Sequence, residues 1–152
     1  MNSYSAKTME HFQNPRNLGK VKGANGIGKV GNLVCGDIMW LYIRVQDQRI
    51  EEIGVETFGC VAALATSSVV TELAKGKTIS QALKIDKDQV IKVLGSLPPI
   101  KIHCSLLAID ALSEAIYDYF KKTKQPVPQK LKAAHRRILQ EKKLLEQKFG
   151  TI

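Results

Sequence analysis

The stretch Asp37–Cys60, "DIMWLYIRVQDQRIEEIGVETFGC", decides how this chain folds. Its first half alternates: Met39, Leu41, Ile43 and Val45 fall on one face, with Trp40, Tyr42 and Arg44 on the other. Strict alternation rich in aromatic and β-branched residues is the signature of a half-buried strand. The short polar break "QDQ" reverses the chain, and "RIEEIGVETFG" returns it with Ile53 and Val55 matching the buried face. The segment therefore reads as a β-hairpin, with Met39 and Trp40 as sheet residues. Gly59-Cys60 then marks an abrupt change of texture.

On the N-terminal side, "SYSAKTMEHFQ" suits a short helix ended by Asn14-Pro15. Residues 16–36 are glycine-rich and predict loop with one short edge strand, giving a small three-stranded antiparallel sheet. Past Cys60, "VAALATSSVVTELAKG" predicts a helix closed at Gly76. Thr78 with Gln81 forms a capping box for a short helix, and Asp86 opens another, "DKDQVIKVLGSL". From about Lys101 to Lys122, Leu106, Ile109, Leu112, Ile116 and Phe120 recur at helical spacing. "TKQPVP" is a linker, and a second amphipathic helix over 128–149 carries Leu131, Ile138 and Leu145 seven apart, with Leu139 and Phe149 nearby. Strands first and helices after them give an α+β class, divided as a domain over 1–122 and a linker with a basic helical extension over 123–152.

The 152 residues carry a net charge of +9. Residues 1–120 hold 13 Lys/Arg against 12 Asp/Glu, whereas 121–152 hold 10 against 2. The basic character thus belongs to the tail. Two readings compete for it: a solvated helix docked by its Leu/Ile stripe, or a contact for an acidic partner. Nucleic acid is the weaker reading, because no aromatic stacking set accompanies the charge. No apolar run approaches the ~18 residues of a membrane span, and "MNSYSAKTMEHF" has no secretory h-region, so the expected location is cytoplasmic.

Three cysteines, Cys35, Cys60 and Cys104, are too few and too scattered for a disulfide framework. Each sits at a structural boundary: Cys35-Gly36-Asp37 where a loop enters a strand, Gly59-Cys60 where a strand yields to a helix, and His103-Cys104 at the start of the long helix. Boundaries expose side chains on a rigid frame, which favours ligands over packing residues. Proximity to helix N-termini predicts thiolate character for Cys60 and Cys104, with Lys101 in support. Gly36 and Gly59 are expected to leave room for a metal centre or sulfur carrier. Cys35, Asp37, Cys60, His103 and Cys104 together offer three sulfurs, an imidazole and a carboxylate, a set suited to zinc, iron or an iron–sulfur centre. Five donors exceed a closed structural zinc site, and the surplus points to exchange. His11 reads as a packing or capping residue and His135 as solvated. Tyr4 is either a packing residue or a contact in a transient homodimer.

The motifs "YSAKTMEHFQNPRN", "VGNLVCGDIMWLYI", "TFGCVAALATSS" and "LPPIKIHCSLLAIDAL", in this order over about 4–120, resemble the IscU/NifU-type iron–sulfur cluster assembly scaffolds. The resemblance implies a SufE/NifU-like fold and a non-enzymatic scaffold. In that role a cysteine desulfurase delivers persulfide sulfur, Fe2+ binds, a ferredoxin-type donor supplies electrons, and a [2Fe–2S] cluster passes to apo-proteins. It implies Cys104 as persulfide acceptor and Cys35, Asp37, Cys60 and His103 as first iron ligands, with Zn2+ able to occupy the site of the isolated protein. It also implies that Leu97, Pro98, Pro99, Ile100 and Lys101 form an extended handle for an Hsp70 chaperone and its J-protein. Val61 is bulkier than the residue the family usually carries there, no further cysteine follows, and the basic helix lies beyond the resemblance. The main alternative is a zinc-dependent sulfurtransferase of SufU type; a purely structural zinc module is a further one. The 43 residues between Cys60 and Cys104, and the presence of His103, favour the scaffold.

Overall fold

A computed structural model describes residues 4–32 and 36–149. Strands β1 (Gly26–Asn32), β2 (Asp37–Gln46) and β3 (Arg49–Phe58) form one antiparallel sheet in the order β1-β2-β3. The β2–β3 reversal is tighter than "QDQ" suggests: Gln46 pairs with Arg49, and the turn rests on Asp47 and Gln48, both at positive φ of 54° and 62°. Two consecutive left-handed residues are the geometry of a type I′ turn, whose twist suits a hairpin. The register sets Leu41 opposite Val55 and Ile43 opposite Ile53, so one face of the sheet is continuously apolar. Met39, Leu41, Ile43 and Val55 are fully buried there.

The edge strand β1 is longer than a sequence reading shows, because its buried face carries glycines where apolar side chains would signal a strand. A Cβ on Gly26 or Gly28 would overlap the carbonyl oxygens of Ala115 and Ala111. The missing side chains let the long helix α5 (Ile102–Lys122) lie directly on β1. Residues 17–19 add a short parallel pairing beside β3, with Val55 N–H donating to the Asn17 carbonyl at 2.9 Å and Gly19 N–H to the Val55 carbonyl at 2.8 Å.

Helix α1 (Ala6–Gln13) begins at Ser5, whose Oγ accepts from the Thr8 N–H. It packs on α2 (Val61–Ala74), where buried His11 places Nδ1 2.8 Å from Ser68 Oγ. That is the packing role expected of His11. Helix α2 buries Ala62, Ala63, Ala65, Val69 and Val70, small residues that allow close approach to the sheet and α5. Both expected capping boxes form, Thr78 with Gln81 at α3 (Ile79–Ala82) and Asp86 with Gln89 at α4 (Lys87–Leu94). Tyr4 lies half-buried against the core.

The buried stripe of α5 differs from the apolar periodicity of its sequence. Leu106 is 46% exposed, while Cys104, Ala108, Ala111, Leu112, Ala115 and Ile116 are buried. Small alanines face the glycine strand, so the tightest contact is made by the least conspicuous residues. The final helix α6 (Gln129–Phe149) packs along α5 and buries Leu131 and Ile138. His135 is not solvated: its Nδ1 lies 2.7 Å from Glu114 Oε2, and its ring stacks on Tyr117 at 3.7 Å. Arg137 forks onto Asp110, with Nη2 2.7 Å from Oδ1. Among the described residues, no helix is long and apolar enough to cross a membrane.

Candidate metal and sulfur site

Four of the five expected donors converge where β2 begins and where α2 and α5 begin. Asp37 opens β2 and is 2% exposed. Cys60 is the N-cap of α2, in extended conformation, and its Sγ accepts from the Ala63 N–H at 3.4 Å. This is the bond that a serine or aspartate makes at a helix start. His103 and Cys104 lie in the first turn of α5. Cys35 lies outside the described residues, as does whatever it contributes.

The donor atoms have the spacing of a coordination sphere. Cys60 Sγ lies 3.6 Å from Cys104 Sγ, and Cys104 Sγ lies 3.5 Å from His103 Nε2. Asp37 Oδ2 lies 3.7 Å from Cys104 Sγ and 3.9 Å from Cys60 Sγ. Bonds of about 2.3 Å to sulfur and 2.0–2.1 Å to nitrogen or oxygen, set tetrahedrally, require donor separations of about 3.5–3.8 Å. Each of these four pairs has the spacing of two donors on one zinc- or iron-sized cation, and Cys104 belongs to three of them. Among the described residues, Asp37, His103 and Cys104 form the group whose ligand atoms all lie within 4.8 Å of one another, and Cys60 stands just outside it.

The thiolate expectation fails for Cys104. Burial pushes its thiol well above the usual cysteine range, and the neighbouring Cys60 and Asp37 push it further in the same direction. A helix N-terminus is a partial charge, and here desolvation, with Cys60 and Asp37 close by, outweighs it. A cation between these groups reverses the balance, since it favours every anion around it.

Gly59 has a different role from the one its sequence suggests. A Cβ there would overlap the Asp37 carboxylate, with Cγ only 2.8 Å away. The glycine makes room for Asp37, whose Oδ1 also accepts from the Cys60 N–H at 3.2 Å. Gly36 does meet open space, at a positive φ of 75° that favours glycine. Thr66 is a site residue that motif reading misses. Fully buried, its hydroxyl lies 3.2 Å from the Cys104 carbonyl and 3.1 Å from that of Ala63, tying the first turns of α2 and α5 together. Its only sequence signal is a hydroxyl among the small apolar residues of α2.

The segment 97–101 is only partly the extended handle expected. Pro98 is extended at φ −54° and ψ 138°, but Pro99–Lys101 form a 3₁₀ turn closed by Lys101 N–H donating to the Pro98 carbonyl at 2.8 Å. Leu97 is buried and anchors the segment, leaving Pro99 and Ile100 outermost.

The family model for the NifU-like N terminal domain matches residues 3–126. This chain belongs to the NifU N-terminal family. Among the curated relatives, "Iron-sulfur cluster assembly scaffold protein IscU 1" of Archaeoglobus fulgidus is 62% identical over 119 residues, covering 78% of each chain. The IscU scaffold protein of Aquifex aeolicus is 46% identical over 121 residues, covering 78% of this chain and 77% of its own. Among solved structures, a Fervidobacterium islandicum protein assigned as an iron–sulfur cluster assembly scaffold for the SUF system superposes with a TM-score of 0.64. That pair is 25% identical, over 74% of this chain and 96% of the other. The N-terminal part of a NifU-like protein from Brucella abortus shares the fold, with a TM-score of 0.66 at 18% identity, over 78% and 94% of the two chains. The NifU-family match ends before α6 begins.

Proposed function

We propose that this NifU-family protein is a scaffold on which an iron–sulfur cluster is assembled and from which it is handed on. The observation that carries the reading is the convergence of Asp37, Cys60, His103 and Cys104, with donors of the first three each 3.5–3.7 Å from Cys104 Sγ. Scaffold relatives at 46–62% identity support it. Cys35, two residues before Asp37, completes the proposed ligand set.

Sulfur arrives on Cys104 in this proposal. As thiolate, its Sγ attacks the outer sulfur of a desulfurase persulfide; a new Sγ–S bond forms, and the desulfurase cysteine leaves as thiolate. Because Cys104 is fully buried and its thiol is held protonated, delivery requires the first turn of α5 to open and a base or cation to take the proton's place. Two sulfane sulfurs each need two electrons to become sulfide. Two ferrous ions becoming ferric supply half of these, and a ferredoxin-type donor supplies the rest. The mixed oxygen, nitrogen and sulfur donors make a poorer cage than four thiolates, which suits cargo that must leave for an apo-protein. Residues 97–101, with Ile100 69% exposed, are the proposed contact for an Hsp70 and its J-protein, and Tyr4 the proposed contact of a transient homodimer.

Anaerobic incubation with ferrous iron, cysteine and a cysteine desulfurase tests the reading. A scaffold develops a [2Fe–2S] absorption spectrum that transfers to an apo-ferredoxin. Tight retention of zinc with stimulated desulfurase turnover and no cluster would instead establish the SufU-type sulfurtransferase. Retained zinc with neither activity would leave a structural module.

A further inference from the structure

Helix α6 is fixed on one side and unused on another. Leu131, Ile138 and His135 face α5, and Arg137 spends its charge on Asp110 and Glu141. Lys132, Arg136, Leu139 and Lys143 follow at spacings of four, three and four, which puts them on a single face about 16 Å long. All four are exposed, and Leu139, at 42%, sits in the middle of the three cations. Lys121 of α5 extends the patch across a cleft of about 360 Å³. Among the described residues, none of Lys121, Lys132, Arg136 and Lys143 makes an ion pair, whereas neighbouring Lys122 does, with Asp118 at 2.8 Å.

We infer that this face of α6 is a docking surface for an acidic amphipathic helix of a partner protein, with carboxylates meeting the three α6 cations and an apolar residue covering Leu139. Charge complementarity selects the occupant. A rigid row of unpaired cations around one exposed leucine matches a helix that repeats acidic residues at the same spacing. A lipid surface fits poorly, because among the described side chains Leu144, the other exposed leucine of this helix, projects well away from the stripe and forms no continuous apolar face with Leu139. Single-stranded nucleic acid fits poorly because the aromatic rings beside the stripe, Tyr117 and His135, are stacked on each other. Helix α6 also runs antiparallel to α5, since His135 meets Glu114 while Arg137 meets Asp110. A partner held along it is therefore led toward the end of α5 that carries His103 and Cys104. This inference stands on α6 alone and survives if the site chemistry proposed above is wrong.

The test uses the full-length chain and a labelled helical peptide with three glutamates and one leucine on one face. An isomeric peptide with the same residues dispersed around the helix serves as control. Fluorescence anisotropy is expected to show the matched peptide binding about tenfold tighter than its isomer, with affinity falling as salt rises. Reversing the stripe (Lys132→Glu, Arg136→Glu, Lys143→Glu) should weaken binding at least about tenfold. An equal charge reversal at exposed Lys7, Lys20 and Lys84 should change it less than about threefold. Circular dichroism confirms that both variants keep their helix content. Equal loss in both variants, equal binding of both peptides, or no binding at low salt overturns the proposal. So does tighter binding to phosphatidylglycerol vesicles or to single-stranded RNA than to the matched peptide.

Discussion

The missing side chain at Gly59 leaves room for the Asp37 carboxylate. Adding a methyl group there brings a carbon within 2.8 Å of Asp37 Cγ, in a spot where Asp37 is almost wholly buried and cannot swing aside freely. Gly59→Ala is expected to cost about 1–3 kcal/mol of stability, and most of that cost should vanish in an Asp37→Ala background. Chemical denaturation of the four proteins in the double-mutant cycle measures the coupling; additive effects would mean that the contact is not the cause. Cys104 gives a pH dependence at the same scale. Its thiol is raised above the ordinary value near 9.0 by burial, Cys60 and Asp37, so the fold keeps a proton that the unfolded chain loses. Stability of the metal-free protein should therefore fall as pH climbs past about 9, the unfolded chain then binding fewer protons. Zinc binding must expel the same proton, so affinity should rise with pH, and Cys104→Ser should release about one proton fewer per ion near pH 7. Calorimetry in buffers of different ionisation enthalpy reads that number, and identical release from both proteins would exclude Cys104 as a ligand. The candidate donors can be named from the sequence because ligand chemistry is carried by residue type. Their electrostatics cannot be read there, since the raised Cys104 thiol depends on how deeply the first turn of α5 is buried. Gly59 was legible only as a missing side chain; what it makes room for is set by contact across 22 residues of sequence.

At the scale of the element, α6 is held by two buried apolar residues and two polar clasps, His135 with Glu114 and Tyr117, and Arg137 with Asp110. Leu131, at 2% exposure, is the firmest anchor, and Leu131→Ala is expected to weaken docking by about 2–4 kcal/mol. Leu131 and Ile138 join the hydrophobic core, but α6 packs chiefly on α5 and β1, so the loss should be local. Hydrogen exchange should accelerate across Gln129–Phe149 and leave the amides of β2 and β3 as protected as before. Acceleration throughout the sheet would show that α6 is an integral part of the core. Alternation in β2, the capping boxes of α3 and α4, and the burial of Leu131 and Ile138 on α6 could be read directly, because each is local periodicity or local hydrogen bonding. Strand β1 and the buried face of α5 could not. Both depend on Gly26 and Gly28 meeting Ala111 and Ala115, a contact made of absent side chains. Periodicity weights large apolar residues and so pointed to Leu106, which faces water. His135 looked solvated because seven Lys and Arg surround it in sequence, whereas its partners Glu114 and Tyr117 come from another helix.

For the molecule as a whole, the question is whether the ligand site depends on the tail. All described donors belong to β2, α2 and α5, and Thr66 joins the last two beneath them. The family match also stops at residue 126. What α6 covers is peripheral: Val30 and Leu107, beside Ile138, and Tyr117. A chain ending at Lys124 should accordingly fold in one cooperative transition. Exposing Val30 and Leu107, together with losing the burial of Leu131 and Ile138, removes a few side chains' worth of hydrophobic stabilisation. A fall in Tm of roughly 5–15 °C is the expected size for a domain of this length. Zinc affinity, measured by chelator competition, should stay within about threefold of the full chain, because none of the proposed ligands is lost. The truncation also removes seven of the 23 lysines and arginines, so the comparison is best made at moderate salt, where long-range charge effects on a cation are screened. A truncated chain that folds but binds zinc more than tenfold more weakly would make α6 a brace of the site rather than an addition beside it. One that keeps its affinity but loses the acidic peptide would separate the two tasks cleanly, with metal held by the family domain and the partner held by the helix beyond it.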